Sequence, residues 1–206
     1  MLDIAELSCH RGDRTLFGPL SLSLPAGRLL SVEGPNGCGK TTFLRALCGL
    51  TTPDHGTIRW QGRDIAEQRE RFVSHVLYIG HRNGLKDELS PMENVQAALH
   101  IAGHAVTSEA VRAALDSVGL GSSCHQLPAK VLSEGQKRRV ALARLWCSEQ
   151  LLWVLDEPLT ALDAQSSRLL RDRLQQHVAQ GGLVVVATHQ AIGLDESVVQ
   201  QLRLGE

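Results

Sequence analysis

Eight consecutive residues, Gly34-Pro35-Asn36-Gly37-Cys38-Gly39-Lys40-Thr41, fit G-x-x-x-x-G-K-[ST] at every fixed position. The pattern has weight only between a strand and a helix, and both flanks supply that context. Leu29–Glu33 reads as a short strand, and the helix that follows carries Phe43, Leu44, Leu47 and Cys48 as its apolar residues. Gly49 is placed to end that helix in a left-handed cap. Glycines in such a loop let backbone N–H groups turn inward around phosphate oxygens, and the helix N-terminus adds the positive end of its dipole. Lys40 places a full charge on the β- and γ-phosphates, Thr41 offers a hydroxyl to Mg²⁺, and Thr42 can hold a neighbouring phosphate. Gly34, Pro35, Asn36, Gly37, Cys38, Gly39, Lys40, Thr41 and Thr42 are therefore the expected phosphate set. Cys38 lies inside the loop, where a thiol adduct is expected to block the nucleotide.

The rest of the chain sorts as α/β around this loop. Leu20-Ser21-Leu22-Ser23-Leu24 alternates as a half-buried strand does, Pro25-Ala26-Gly27 is a turn, and Thr57–Trp60 is a further strand after the turn Pro53–Gly56. Ser90-Pro91-Met92-Glu93 is a capping box with Pro at the first helical position. The stripe Met92, Val95, Leu99, Ala102 follows, and Gly103 stops it. Val111, Ala114, Leu115 and Val118 mark a second helix stopped by Gly119. Residues from about 86 to 130 thus read as a helical insert. Leu151–Leu155 is a continuous apolar strand, as in a parallel sheet covered on both faces. A helix over Ala164–Ala179 carries Leu169, Leu170, Leu174 and Val178 on one side, and Leu183–Ala187 is the next buried strand. With no internal repeat and no linker, residues 1–206 are expected to form one domain.

Leu151–Leu155 runs into Asp156-Glu157-Pro158, which places two carboxylates at the mouth of the sheet, where ligands of open α/β sheets bind. Asp156 suits the Mg²⁺ shell, directly or through water. Glu157 suits a general base polarising an attacking water. Composition removes several competing classes. Lys+Arg number 21 against 22 Asp+Glu, and a net charge of -1 argues against a non-specific nucleic-acid binder. The five cysteines are odd in number, with no C-x-x-C spacing, so a reducing cytosol fits better than a disulfide framework or a zinc site. No apolar run approaches the roughly 20 residues needed to cross a bilayer, and Met1-Leu2-Asp3-Ile4 does not open a signal peptide. Membrane contact is then expected to go through a partner. His100 and His104 are four apart on an expected helix, but without a third ligand nearby they read as exposed helix residues.

The phosphate loop alone does not choose among kinases, GTPases and motor ATPases. Leu132-Ser133-Glu134-Gly135-Gln136, standing 20 residues before Asp156, resembles the LSGGQ signature of the ATP-binding-cassette family. Asp156-Glu157-Pro158 with Ala161-Leu162-Asp163 resembles that family's Walker B and D-loop, and Thr188-His189 resembles its switch histidine. The resemblance covers almost the whole chain. It implies a mostly parallel core sheet with flanking helices, an N-terminal antiparallel β lobe and a helical insert, with ATP and Mg²⁺ as ligands. It also implies two copies closing head to tail, with Ser133, Gly135 and the helix start at Gln136 capping the γ-phosphate held by Lys40 of the other copy. Glu134 stands where the family has Gly, and its carboxylate is expected to point away from phosphate. His189 is expected to contact the γ-phosphate and to orient Glu157 and water.

Two departures narrow the resemblance. His81, after Tyr78-Ile79-Gly80, stands where the family usually has a Gln that contacts Mg²⁺ or water and reports to the transport subunit. A neutral imidazole can take over that hydrogen bond but titrates near neutrality. Arg11 stands where an aromatic residue usually stacks on adenine; a guanidinium plane can stack as well, with His10 as competitor. Gly80-His81, Arg138–Trp146, Thr188-His189-Gln190 and the short chain together resemble one bacterial subfamily, the ATP-binding subunit of the haem exporter of cytochrome c maturation. That resemblance implies integral membrane transporter subunits and haem-handling maturation proteins as partners, no nucleic acid, and a place on the cytoplasmic face of the bacterial inner membrane. Two other readings stay open: an ATPase subunit for a different cargo, and a soluble assembly ATPase of the same superfamily.

Overall fold

The computed structural model describes residues 1–12 and 14–205. It divides into two compact units: residues 1–78, 150–157 and 175–206 form the first, and residues 79–149 and 158–174 the second.

The first unit holds two sheets. Strands β1 (Leu2–Arg11), β2 (Arg14–Leu24), β4 (His55–Trp60) and β5 (Arg63–Asp64) form an antiparallel sheet in the order β2-β1-β4-β5. A five-stranded sheet takes the order β6-β7-β8-β3-β9, from Val76–Ile79, Leu152–Asp156, Leu183–Ala187, Arg28–Glu33 and Val199–Arg203. In it β3 runs parallel to β8 and β9, and β7 parallel to β8. Every residue of β7 and of β8 is buried, which is why both sequences read as unbroken apolar runs rather than alternations. The strand begins one residue later than its sequence pattern; Leu151 lies just outside and is exposed. Register fixes what matters for chemistry. Asp156 lies beside Ala187, and Val32 beside Ala187 from the other side. The segments after β3, β7 and β8 therefore leave the sheet at one edge.

Helix α1 (Lys40–Leu47) begins at that edge. Phe43, Leu44 and Leu47 are fully buried, and Phe43 meets Phe17 of β2 edge to face with centroids 5.5 Å apart. Burying each such side chain stabilises by about 1.5–3 kcal/mol, more than the largest propensity differences among ordinary helix residues. Packing, not propensity, holds α1. Gly49 takes φ 67, the left-handed stop expected after it. On β7, Trp153 stacks face to face on His177, ring centroids 3.6 Å apart and planes at 4°. His177 Nε2 lies 3.2 Å from the Leu151 carbonyl.

The second unit is helical. It contains α3 (Pro91–Ile101), α4 (Ser108–Ser117), α5 (Glu134–Ala143) and the first part of α6 (Ala164–Ala179). A short α2 (Arg69–Val73) belongs to the first unit. Val95, Leu99, Val111, Leu115, Ala129 and Val140 form the core of the second unit. The capping box at Ser90 is present in full: the Ser90 hydroxyl accepts from Glu93 N–H, and the Glu93 carboxylate accepts from Ser90 N–H. The unit reaches beyond the expected insert of 86–130: α5 packs with α3 and α4, and the start of α6 belongs to the same unit. Helix α3 stops at Ile101, so His104 falls past its end and shares no helical face with His100. Among the described residues no group of three or more His, Cys, Asp or Glu could hold a metal ion, and no helix is long and apolar enough to cross a membrane.

Candidate functional site

The loop between β3 and α1 is built around glycines that nothing else can replace. Gly34 takes φ 148, and a Cβ there would lie 2.4 Å from the Leu204 carbonyl oxygen and 2.7 Å from Cys38 Sγ. Gly37 and Gly39 take φ 80 and 99. A Cβ at Gly39 would press on Leu16 and Phe17 of β2 at 3.0 Å. Gly39 is also the N-cap of α1, and it supplies no side-chain oxygen. The first helical bond runs from Phe43 N–H to the Gly39 carbonyl. The N–H groups of Lys40, Thr41 and Thr42 precede it and have no partner within the helix. An anion is the natural acceptor for three unspent donors at a helix start.

The side chains converge on the same edge. Lys40 is buried, and its Nζ donates to the carbonyls of Gly34 at 2.7 Å and Pro35 at 3.3 Å. It also lies 3.2 Å from His189 Nε2. His189 follows β8 by two residues. Its Nε2 stands 3.0 Å from Asn36 Oδ1 and 3.3 Å from Glu157 Oε1. One ring nitrogen thus faces one donor and two acceptors. A proton on Nε2 serves Asn36 and Glu157; a lone pair there serves Lys40. Whichever tautomer is present, His189 connects the phosphate loop to the carboxylate after β7.

That carboxylate sits on strained backbone. Glu157 takes φ 49, and its N–H donates to the Ala187 carbonyl at 2.8 Å, one step beyond the β7–β8 ladder. Left-handed backbone at a non-glycine residue costs on the order of 1–3 kcal/mol and persists where the surroundings dictate it. Next to it, Asp156 is buried and accepts from the Thr41 hydroxyl at 2.7 Å. A hydroxyl and a carboxylate side by side are hard oxygen donors of the kind Mg²⁺ takes in small number when substrate phosphates supply the rest. The residues fit that ion. Tyr78 had no assigned role in the sequence; burial, with the nearby Asp156 carboxylate adding, pushes its hydroxyl up to about 12, so it stays protonated. Cys38 departs from expectation. Its side chain is 5% exposed, with Sγ packed beside Gly34 and Cβ beside Gly205. Leu204 and Gly205 wall the back of the loop, a contact no local sequence pattern could reveal.

The remaining expected residues make contacts of their own. Arg11 is exposed at the end of β1, opposite Arg14. Its competitor His10 is engaged elsewhere: its N–H donates to Asp54 Oδ2 at 2.6 Å, and its ring meets His55 edge-on at 6.4 Å. In the second unit, Ser133 is the N-cap of α5 and accepts from Gln136 N–H, while Gln136 Oε1 accepts from Ser133 N–H at 2.8 Å. The Gln136 amide nitrogen reaches Cys124 Sγ at 3.6 Å. The Gln136 side chain is thus spent on the Ser133 cap and on Cys124, and the donors left at this helix start are the N–H groups of Glu134 and Gly135. Gly135 is required for another reason: a Cβ would lie 2.7 Å from the Ala161 carbonyl oxygen. Glu134 points along the helix to Lys137 at 3.7 Å. His81 is exposed in the bend after β6 and makes no hydrogen bond among the described residues.

Comparison with known proteins shows what the chain is similar to. The family described as ABC transporter matches residues 17–160. The chain is 44% identical over its full length to a cytochrome c biogenesis ATP-binding export protein CcmA from Dechloromonas aromatica, which it covers completely. It is 50% identical to the protein of the same name from Aromatoleum aromaticum, over 92% of this chain and 89% of that one. Its fold matches a dimeric post-hydrolysis structure of the ATP-binding cassette MJ0796 with a TM-score of 0.83, at 21% identity over 100% of this chain and 97% of the other.

Proposed function

The chain belongs to the ABC transporter family, and from that premise we propose that it is the ATP-hydrolysing subunit of a membrane export system serving cytochrome c biogenesis. The observation that carries the chemistry is the convergence of Lys40, Thr41, Asp156, Glu157 and His189 where β3, β7 and β8 end. The full-length similarity to CcmA proteins supports the biological assignment. Both compact units act together as one nucleotide-binding domain.

In this reading the loop Gly34–Gly39 and the N–H groups opening α1 bind the phosphates of ATP, and Lys40 neutralises the β- and γ-phosphates. Mg²⁺, when bound, screens phosphate charge and is held by Thr41 with Asp156. Glu157 accepts a proton from the attacking water, and His189 holds that carboxylate and the γ-phosphate in one geometry. Thr42 takes a neighbouring phosphate, Arg11 stacks on adenine, and His81 takes the place of the family glutamine. A second copy binds head to tail, so that Ser133 and the Glu134 and Gly135 N–H groups of one copy meet the ATP held by the other. The acid at Glu134 is tolerated there because it turns along the helix to Lys137. Integral membrane subunits and haem-handling maturation proteins complete the assembly, which places this subunit peripherally on the cytoplasmic face of the inner membrane. No nucleic acid is required.

Two measurements test this. Lys40→Ala should lower both ATP affinity and turnover, and wild-type hydrolysis in that variant would reject the phosphate site. Affinity capture of the chain from native membranes should bring down an integral membrane subunit together with cytochrome c maturation proteins. Recovery of a different transporter would reassign the cargo, and recovery from the soluble fraction alone would favour an assembly ATPase.

A further inference from the structure

Arg138 lies on α5, five residues after Ser133, and is 3% exposed. A buried guanidinium is retained only where carbonyls and amides take up its fixed fork of N–H donors. Here two chain segments of the second unit do so. Nη1 donates to the Gly80 carbonyl at 3.0 Å and to Asn83 Oδ1 at 3.3 Å, and Nε donates to the Pro158 carbonyl at 3.4 Å. Gly80 and Asn83 bracket His81 in the chain, and Pro158 directly follows Glu157. His81 itself is exposed and has no hydrogen bond of its own among the described residues. What fixes its backbone is the guanidinium that grips the residues on either side.

We propose that Arg138 is a positioning residue for His81, holding the Gly80–Asn83 segment against the signature helix and the segment after Glu157. The proposal rests on the reading of His81 as the stand-in for the family glutamine. A lysine at 138 keeps the charge but presents a single nitrogen, which cannot span two segments as a planar fork does.

The test is steady-state ATP hydrolysis by the full chain, comparing wild type with Arg138→Lys, Asn83→Ala, His81→Ala and the Arg138→Lys/His81→Ala double variant. Thermal unfolding and hydrogen exchange of the Gly80–Asn83 amides are followed in parallel. Arg138→Lys should fold, exchange the Gly80–Asn83 amides faster, and lose about tenfold in kcat with KM within about twofold, the pattern of a misplaced group rather than a lost binding contact. Asn83→Ala cannot unfold the core and should show a smaller loss of the same kind. The double variant should be no slower than His81→Ala alone, because two residues acting through one effect are not additive. Wild-type kcat in both Arg138→Lys and Asn83→Ala, or losses that multiply in the double variant, overturns the proposal while leaving His81 in its role. Wild-type behaviour of His81→Ala overturns the role of His81 and the proposal with it.

Discussion

Cys38 stands in the middle of the phosphate loop in sequence, yet its side chain is buried, with the thiol beside Gly34 and Cβ against Gly205. A maleimide at neutral pH should therefore react first at half-buried Cys124, leave Cys38 nearly untouched, and be little affected by Mg-ATP. Burial raises the thiols of Cys48 and Cys147, which further disfavours their reactive thiolates. Mass mapping of the adducts checks this, and fast, ATP-protected labelling at Cys38 would contradict the loop geometry. The sequence makes the loop legible because glycine positions and the lysine are set by backbone shape over eight residues. It says nothing of the burial of Cys38, since Gly205 comes from the far end of the chain. Tyr78 and Arg138 stand in stretches that the sequence singled out, but their contacts with Asp156 and with Gly80 and Pro158 were not readable, because those partners are distant in sequence. His189 was legible as a residue, but its contact with Asn36 was not.

At the scale of elements, helices α1, α3 and α5 divide by what caps their starts. Helix α1 opens on a bare glycine and keeps its N–H groups for a ligand, whereas α3 and α5 spend side chains on capping boxes. The caps on α3 and α6 leave a mark on pH dependence. Ser90 N–H, with its hydroxyl, holds the Glu93 carboxyl below the usual range, and Ser166 N–H does the same for Asp163. A carboxyl depressed by folding contributes stability that is complete above its unfolded value, roughly 4.3 for Glu. That contribution disappears as pH falls through the lower folded value. Glu93→Gln keeps an acceptor but no charge. The melting temperature of the variant should fall below wild type at pH 6–7, and the gap should close between about pH 5 and 3. Asp54, Asp163 and Asp195 also sit low but are common to both proteins, so the difference isolates Glu93. Melting curves that stay parallel across this range would show that the cap carries no charge dependence. The capping box at Ser90, the stripe behind it and the buried runs of β7 and β8 were all readable, because local periodicity encodes them. The reach of the helical unit was not, because α5 joins it through packing.

For the whole molecule, the proposed head-to-tail pair makes hydrolysis and dissociation one event. Glu157→Gln keeps size and hydrogen bonding at φ 49 but removes the base. It should bind ATP, hydrolyse it far more slowly, and elute as a dimer in size-exclusion chromatography only when ATP is present. An unchanged hydrolysis rate would move the base role to another residue, with His189 next. The order of the five motifs made this architecture legible along the whole chain, since each is a local pattern at a fixed place in the α/β alternation. The stack of Trp153 on His177 has an optical corollary. Trp153 is the tryptophan of β7, three residues before Asp156, and is fully shielded from water. An imidazole lying flat on an indole is placed to quench its emission, so Trp153 is expected to brighten when the two rings separate. Disruption of β7 should therefore raise tryptophan emission, so that the chain carries its own reporter for the strand that ends at Asp156.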